Sequence, residues 1–327
     1  MTYVLPAVAR PSKKHAFAFV VPDVHYGYNT GLPSYDPLVW DVGLQAISHY
    51  KDRMTHLIIL GDFGNCESLS HWASLRAEQV YIEEDINLID MALGDIERAL
   101  GKKNKTVKKV FIEGNHEAWA TMLEAKYPQF RNEVNLPVRL DLKQRGWQWV
   151  PNNHFYKLGL MHFTHGNIRG ASTPQKMLHV NGVSTMYGHT HRRLYATMNN
   201  VGGELEAHSI GCWASIDPPP PYAKGVPPAQ WEHGFATVQV RKNGRFQVQH
   251  MKIYDSSVCE LPDATELVAN RGTAQARIKR DKAMLAKLQE AYSDRYYEPG
   301  GSVHEPEPLR GTELRSRAQR ARVHGGK

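Results

Sequence analysis

The chain has 327 residues, 41% of them hydrophobic, with 40 Lys+Arg against 33 Asp+Glu and a formal net charge of +7. That is ample apolar material for one large domain, or for one domain with an appendage. Three cysteines without paired spacing, Cys66, Cys212 and Cys259, exclude a disulfide scaffold or a zinc ribbon, and no apolar run has the length of a signal-peptide core or of a membrane span.

Short apolar runs recur, each ending abruptly. "HAFAFVV" stops just before Asp23, "THLIIL" before Gly61, "VKKVFI" before Glu113, "LGLMHF" before Thr164 and "VSTMY" before Gly188. Each is rich in β-branched or aromatic residues and predicts a buried strand. Between the second and third, Val80, Ile82, Ile86, Ile89, Leu93 and Ile96 repeat at helical spacing, and Gly101 supplies a stop. The acidic triplet Glu83, Glu84 and Asp85 reads as a solvated face of that helix. Strands alternating with helices predict a layered α/β fold with ligands at the carboxyl ends of the strands.

Further strands are expected in "GELEAHSIGCWA", "GFATVQVRK" and "GRFQVQHMKIY", the last two joined by a "KNG" turn, forming a second sheet beside the first. The proline-rich stretch at 217–231 is a stiff loop, since proline removes the donors that helices and ladders need. Residues 262–292 predict a helix with Ile278, Leu285 and Leu288 as a narrow apolar stripe. The expected divisions are 1–260 as the main domain, 261–298 as a helical extension and 299–327 as a flexible basic tail. From Arg271 to Lys327 there are 13 Lys+Arg against 7 Asp+Glu, whereas the preceding residues are nearly neutral. Such a tail either binds a polyanion or is simply kept soluble by its charge.

The strand ends carry the chemistry. Asp23 and His25 follow the first, Gly61-Asp62 the second, Gly114-Asn115-His116-Glu117 the third, His165-Gly166 the fourth and Gly188-His189-Thr190-His191 the fifth. Taken singly, each has a structural explanation as a cap, a turn or a core histidine; five in succession do not. In this order, D-x-H, G-D, G-N-H-E, H-G and G-H-x-H resemble the calcineurin-like metallophosphoesterase superfamily. "ILGDFGNCESLSHW", "GNHEAW", "YGHTHR" and the spacing of Trp231, Gly234, Phe235 and Val238 are similar to phosphoesterases encoded by bacteriophages and prophages.

The resemblance implies a two-sheet metallophosphoesterase sandwich in α/β/β/α layers with a dinuclear metal site at the strand carboxyl ends. It implies one metal ion on Asp23, His25 and His191, a second on Asn115, His165 and His189, and Asp62 bridging both. Carboxylate, amide and imidazole ligands without thiolate suit manganese foremost, or iron, nickel or zinc. The two cations, ~3.5–4 Å apart, would activate a bridging hydroxide for in-line attack on a phosphoryl group. His116 is implied as general acid or charge stabiliser rather than a ligand, and Glu117 as the orienter of a neighbouring histidine. Arg192 and Arg193 either reach a substrate phosphate or form surface salt bridges. Cys66 and His162 are expected to pack in the interior.

Protein phosphatases of this superfamily carry G-D-x-x-D-R-G, where this chain has "GDFGNCE", and they lack the G-H-x-H ending, so that activity is disfavoured. The nuclease branch usually has G-N-H-D, and Glu117 departs from it. The expected substrate is a phosphodiester, nucleic acid or nucleotide, with the basic tail contacting nucleic acid and tryptophans and tyrosines in 119–156 and 212–231 available to stack bases. The alternatives are a small phosphorylated metabolite or a non-catalytic metal-containing module. The expected setting is the cytoplasm, that of the host if the chain is phage-encoded, with no membrane partner.

Overall fold

The computed structural model describes residues 14–29, 31–70, 81–170, 172–217 and 230–296. The chain divides into two compact units, Met1–Leu285 and Ala286–Lys327. The first unit therefore extends beyond residue 260, where the main domain was expected to end. The expected tail at 299–327 and most of the proline-rich loop lie outside the described residues.

The order begins with β1 (Lys14–Val21), a short pair β2 (Tyr28–Asn29) and β3 (Leu32–Pro33), α1 (Pro37–Tyr50), β4 (His56–Ile59), α2 (Ile82–Leu100) and β5 (Lys108–Ile112). It continues through α3 (Asn115–Lys126), α4 (Arg131–Val134), α5 (Leu136–Arg139), β6 (Trp147–Val150), β7 (Tyr156–Leu158), β8 (Met161–Thr164), α6 (Thr173–Asn181) and β9 (Thr185–Tyr187). It closes with β10 (Arg193–Asn200), β11 (Gly203–Ile210), β12 (Gly234–Arg241), β13 (Phe246–Lys252), β14 (Val258–Glu260), β15 (Glu266–Val268) and α7 (Arg271–Tyr296).

A six-stranded sheet runs β13-β12-β1-β4-β5-β6 and a five-stranded sheet runs β10-β11-β9-β8-β7. Side chains of β1 alternate with period two. Ala16, Ala18 and Val20 join Ile58, Val110 and Val238 against Leu158, Phe163 and Met186 of the second sheet, so the two sheets share one apolar layer. Phe17, Phe19 and Val21 face the other way, onto Trp40 and Ile47 of α1 and Ile89, Leu93 and Ile96 of α2. On the far side, Met177 and Leu178 of α6 cover Tyr187, Ala196 and Ala207. The result is a mixed α/β arrangement compatible with an α/β sandwich. Among the described residues no helix is long and apolar enough to cross a membrane.

The structure differs from the sequence reading at three places. β12 and β13 extend the first sheet, and the second is built around β8 and β9, whose exits were grouped with those of β1, β4 and β5. β12 is buried on both faces along most of its length, which suits a strand flanked on both sides and not the edge of a new sheet. The helix expected from 262 begins at Arg271, because Glu266–Val268 pairs with Val258–Glu260 and Asn270 then accepts the Thr273 N–H as a cap. The acidic triplet is not a solvated face: Glu84 and Asp85 are 3% and 2% exposed. Asp85 accepts the Ser68 N–H at 2.9 Å, burial pushes its carboxyl up to about 6, and Glu83 pairs with Arg139 at 2.6 Å.

As far as Leu285, α7 is fastened by charge as well as by its thin apolar stripe, from which Leu285, with Met284 beside it, packs on the core. Asp281 is fully buried and accepts the Tyr26 and Tyr35 hydroxyls at 2.8 and 2.9 Å, while Arg280 donates to Asp281 and Asp95. Arg277 adds contacts to Asp41 and Asp95. Removing the acceptor strands the Tyr26 and Tyr35 hydroxyls in a buried setting, while Arg280 keeps its pair of bonds to Asp95. Asp281→Ala should lower the unfolding free energy by roughly 3–5 kcal/mol, measured by urea unfolding; a loss below 1 kcal/mol would show that α7 is held by other means.

Candidate metal centre

The exits of β1, β4 and β5 from one sheet and of β8 and β9 from the other converge. Backbone hydrogen bonds lace them together: Val24 and His25 donate to the Asp62 carbonyl at 3.0 and 2.9 Å, and Gly188 donates to His165 O at 3.0 Å. Trp213 N–H reaches Asp23 O at 2.7 Å and Glu232 N–H reaches His191 O at 2.9 Å. His25, Asp62, His189 and His191 all adopt left-handed backbone, with φ of 53°, 45°, 69° and 56°. For non-glycine residues this is strained, and such strain concentrates at functional sites. Two glycines permit the close approach. A Cβ on Gly114 would overlap the Asp62 amide and carboxylate, and one on Gly188 would overlap the Asp23 carboxylate.

Two groups of ligand-type atoms result, Asp23, His25 and His191, and Asp62, His165 and His189, each with its atoms within 4.8 Å of one another. His25 Nε2 and His191 Nε2 are 3.0 Å apart, and His191 Nε2 is 3.3 Å from Asp23 Oδ2. Asp62 Oδ2 lies 3.2 Å from His165 Nε2 and 3.8 Å from His25 Nε2, so it faces both groups, while its Oδ1 accepts the His116 N–H at 2.9 Å. Asn115 Oδ1 stands 3.0 Å from His165 Nε2 and 2.7 Å from His189 Nδ1, in the second group. His165 donates Nδ1–H to the Leu60 carbonyl at 2.8 Å, which turns Nε2 inward. Each implied ligand is thus within reach of its implied neighbours.

His116 donates Nδ1–H to Asn65 O at 2.7 Å and packs edge-on to His25 with ring centres 4.5 Å apart. It also forms a close trio with His25 and Asp62, nearer the donor groups than a purely peripheral acid would be. Glu117 does not orient a histidine. Its carboxylate accepts the backbone N–H groups of Asp62, Gly64 and Gly114 at 3.0, 2.8 and 2.9 Å. It sits three residues into α3 from its Gly114 cap, so its carboxylate reaches back to the cap N–H and ties the Asp62 loop to that helix.

Burial dominates the electrostatics. It lowers His25 well below its ordinary value, with His116 and His191 adding repulsion, and it lowers His189 to about 3 with help from His165. Burial also pushes Asp62 up, but His165 and His116 more than offset this and its net direction is down. For His165 the burial effect is overcome by Asp62, and the imidazole rises to about 10. Burial and the Asp62 charge raise Glu117 to about 8. Neutral imidazoles present lone pairs, and Asp23 Oδ1 is buried without a hydrogen-bond partner. Oxygen and imidazole donors, an orphaned carboxylate oxygen and no thiolate form a group that could hold a metal ion. Cys66 is buried, as expected, whereas His162 is only half-buried.

The two sequence-selected arginines behave differently from each other. Arg193 turns toward Glu232 and lines a separate cleft of about 450 Å³ with Glu206, His208 and His250, so it does not join the donor groups. Arg192 has its carbonyl held by Gly211 N–H and Ser209 Oγ–H, and its side chain is half-buried. Arg169 was missed. Its Nε lies 3.0 Å from His189 Nε2, and the only trace in sequence is an arginine four residues past His165. Trp231, at the end of the proline-rich loop, stands edge-on to His191 with ring centres 4.1 Å apart.

The chain matches no protein-family model and none of the curated proteins compared with it.

Loading a cation must expel the proton that His165 holds against Asp62. The sign follows from its raised pKa: the proton is bound across roughly pH 6–9, so uptake should release about one proton and tighten close to tenfold per pH unit. Mn²⁺ calorimetry in buffers of different ionisation enthalpy measures both quantities. Glu117→Gln replaces an acceptor oxygen with a donor against three amides, and Mn²⁺ affinity should fall about 10–100-fold in the same titration.

Proposed function

We propose that the protein is a dinuclear-metal phosphoesterase of the calcineurin-like metallophosphoesterase type. The observation that carries the reading is one carboxylate, Asp62, facing two separate groups of imidazole and carboxylate donors at the exits of five strands. Asp23, His25 and His191 would hold one divalent cation, and Asn115, His165 and His189 the other, with manganese foremost. Such cations supply Lewis acidity toward a phosphoryl oxygen and a water acidic enough to attack near neutral pH. The layering of helices on two packed sheets supports the same reading.

The chain's own residues do the rest. Asp62, with Oδ1 committed to an amide, presents only Oδ2, which fixes its direction. His116 has its Nδ1–H committed to the Asn65 carbonyl, which turns Nε2 toward the donor groups, where the protonated ring would be the general acid for the leaving-group oxygen. Burial holds its pKa down against the pull of Asp62, so that a proton taken up on Nε2 is readily given away.

The preferred substrate is a phosphodiester, nucleic acid or nucleotide, which the basic segment after residue 270 supports. Arg277 and Arg280 from that segment are engaged with Asp41, Asp95 and Asp281, which reduces the charge left for a polyanion. Of the aromatics expected to stack on bases, Trp119, Trp147 and Trp213 are buried, whereas Trp149 and Trp231 are half-buried and Tyr127 is exposed. The engaged arginines favour, as the second reading, a small phosphorylated metabolite.

With Mn²⁺ present, bis-p-nitrophenyl phosphate should be cleaved in preference to p-nitrophenyl phosphate. His116→Ala should reduce kcat roughly 10²–10⁴-fold at unchanged metal content. Cleavage of single- or double-stranded DNA or RNA, lost in the variant, would support the nucleic-acid substrate. Monoester preference with intact polynucleotide would leave the small-metabolite enzyme, and inactivity on all of them with two bound metal ions would overturn the proposal.

A further inference from the structure

The loop leaving β8 brings Arg169 to the rim of the candidate metal centre. Its backbone is anchored on both sides. Gly188 donates to His165 O, Ile168 packs on the apolar cluster under α6, and Gly170 O accepts the Thr173 N–H at 3.3 Å. The Arg169 side chain is exposed, and among the described residues it makes no ion pair; its contact is Nε–H to His189 Nε2 at 3.0 Å.

That contact and metal ligation by His189 exclude each other. His189 Nδ1 points with Asn115 Oδ1 and His165 Nε2 into the second donor group. If Nδ1 gives its lone pair to a cation, the neutral ring keeps its proton on Nε2. A guanidinium does not deprotonate, so Arg169 Nε–H would then oppose an N–H. The anchored loop leaves the side chain as the part that moves. It carries a planar fork of donors suited to two oxygens of one phosphoryl group. Arg193 is committed to the Glu232 side, and no such commitment holds Arg169.

We infer that Arg169 is the substrate-phosphate clamp of this centre, freed from His189 when that ring takes a metal ion and then closing on the non-bridging oxygens of the phosphoester. This rests on the phosphoesterase reading for the chemistry of the ligand. Occupation of the second donor group thereby also prepares the anion site.

The experiment uses the full-length protein as wild type, Arg169→Ala, Arg169→Lys and, as a surface control, Lys176→Ala. Mn²⁺ is titrated calorimetrically, then inorganic phosphate is titrated into the loaded proteins, and KM and kcat are measured on bis-p-nitrophenyl phosphate. Arg169→Ala should bind Mn²⁺ as tightly as wild type or roughly three- to tenfold tighter, since a competing hydrogen bond is gone. It should bind phosphate at least about tenfold more weakly, with KM raised more than kcat is lowered. Arg169→Lys should recover only part of the phosphate affinity, because a point charge lacks the fork. Phosphate affinity unchanged in a metal-loaded, active Arg169→Ala overturns the clamp while leaving the phosphoesterase reading standing. Failure of the wild type to take up Mn²⁺ overturns both.

Discussion

The carboxylate of Asp62 is the constraint around which the centre is arranged. It is 2% exposed, and a buried carboxylate is costly unless each oxygen has a partner. One oxygen is tied to an amide and the other looks toward imidazoles from both sheets. A second buried carboxylate, Glu117, stands behind the same loop. Two such groups would repel each other if both faced the same space. They are tolerated because Glu117 is turned into backbone N–H groups, leaving the inner side to Asp62.

Strain and support are matched here. The left-handed turns at His25, Asp62, His189 and His191 are held by hydrogen bonds between loops and not by any one loop's preference. Support also comes from further away. Tyr26 follows His25, donates its hydroxyl to Asp281, and stacks on Tyr35 with ring centres 4.0 Å apart. Its backbone pairs with Phe63 and Asn65, and Asn65 in turn holds His116. A helix late in the chain therefore braces two of the turns through an aromatic pair.

Much of the centre was legible because ligand-type residues repeat at strand ends, and strand ends are marked by short apolar runs stopping at glycine or a polar residue. The helix of α2 was equally legible from Ile86, Ile89, Leu93 and Ile96. What could not be read was long-range pairing. Nothing local distinguishes β12, which adds to the first sheet beside β1, from a strand of the second, because the choice is made by a partner more than 200 residues away in sequence. The roles of Glu117 and Asp281 were hidden for a related reason. A charged residue that accepts from backbone or tyrosine hydroxyls looks, in sequence, like any charge on a helix face, and Glu84 and Asp85 misled for the same reason. Arg169 was invisible because a loop arginine acquires meaning only from the ring opposite it.

The donor groups straddle the seam between the two sheets, with Asp23, Asp62 and Asn115 on one side and His165, His189 and His191 on the other. Neither group is complete until both sheets have formed and docked, and the implied ligands run from residue 23 to residue 191. Closing loops of that length is slow compared with forming helices or hairpins. A cation bound by these groups would therefore have no early template role for this chain. It would be captured by a nearly finished molecule and would then rivet the seam, so that parting the sheets would require giving up the ion and metal occupancy would lengthen the lifetime of the folded state.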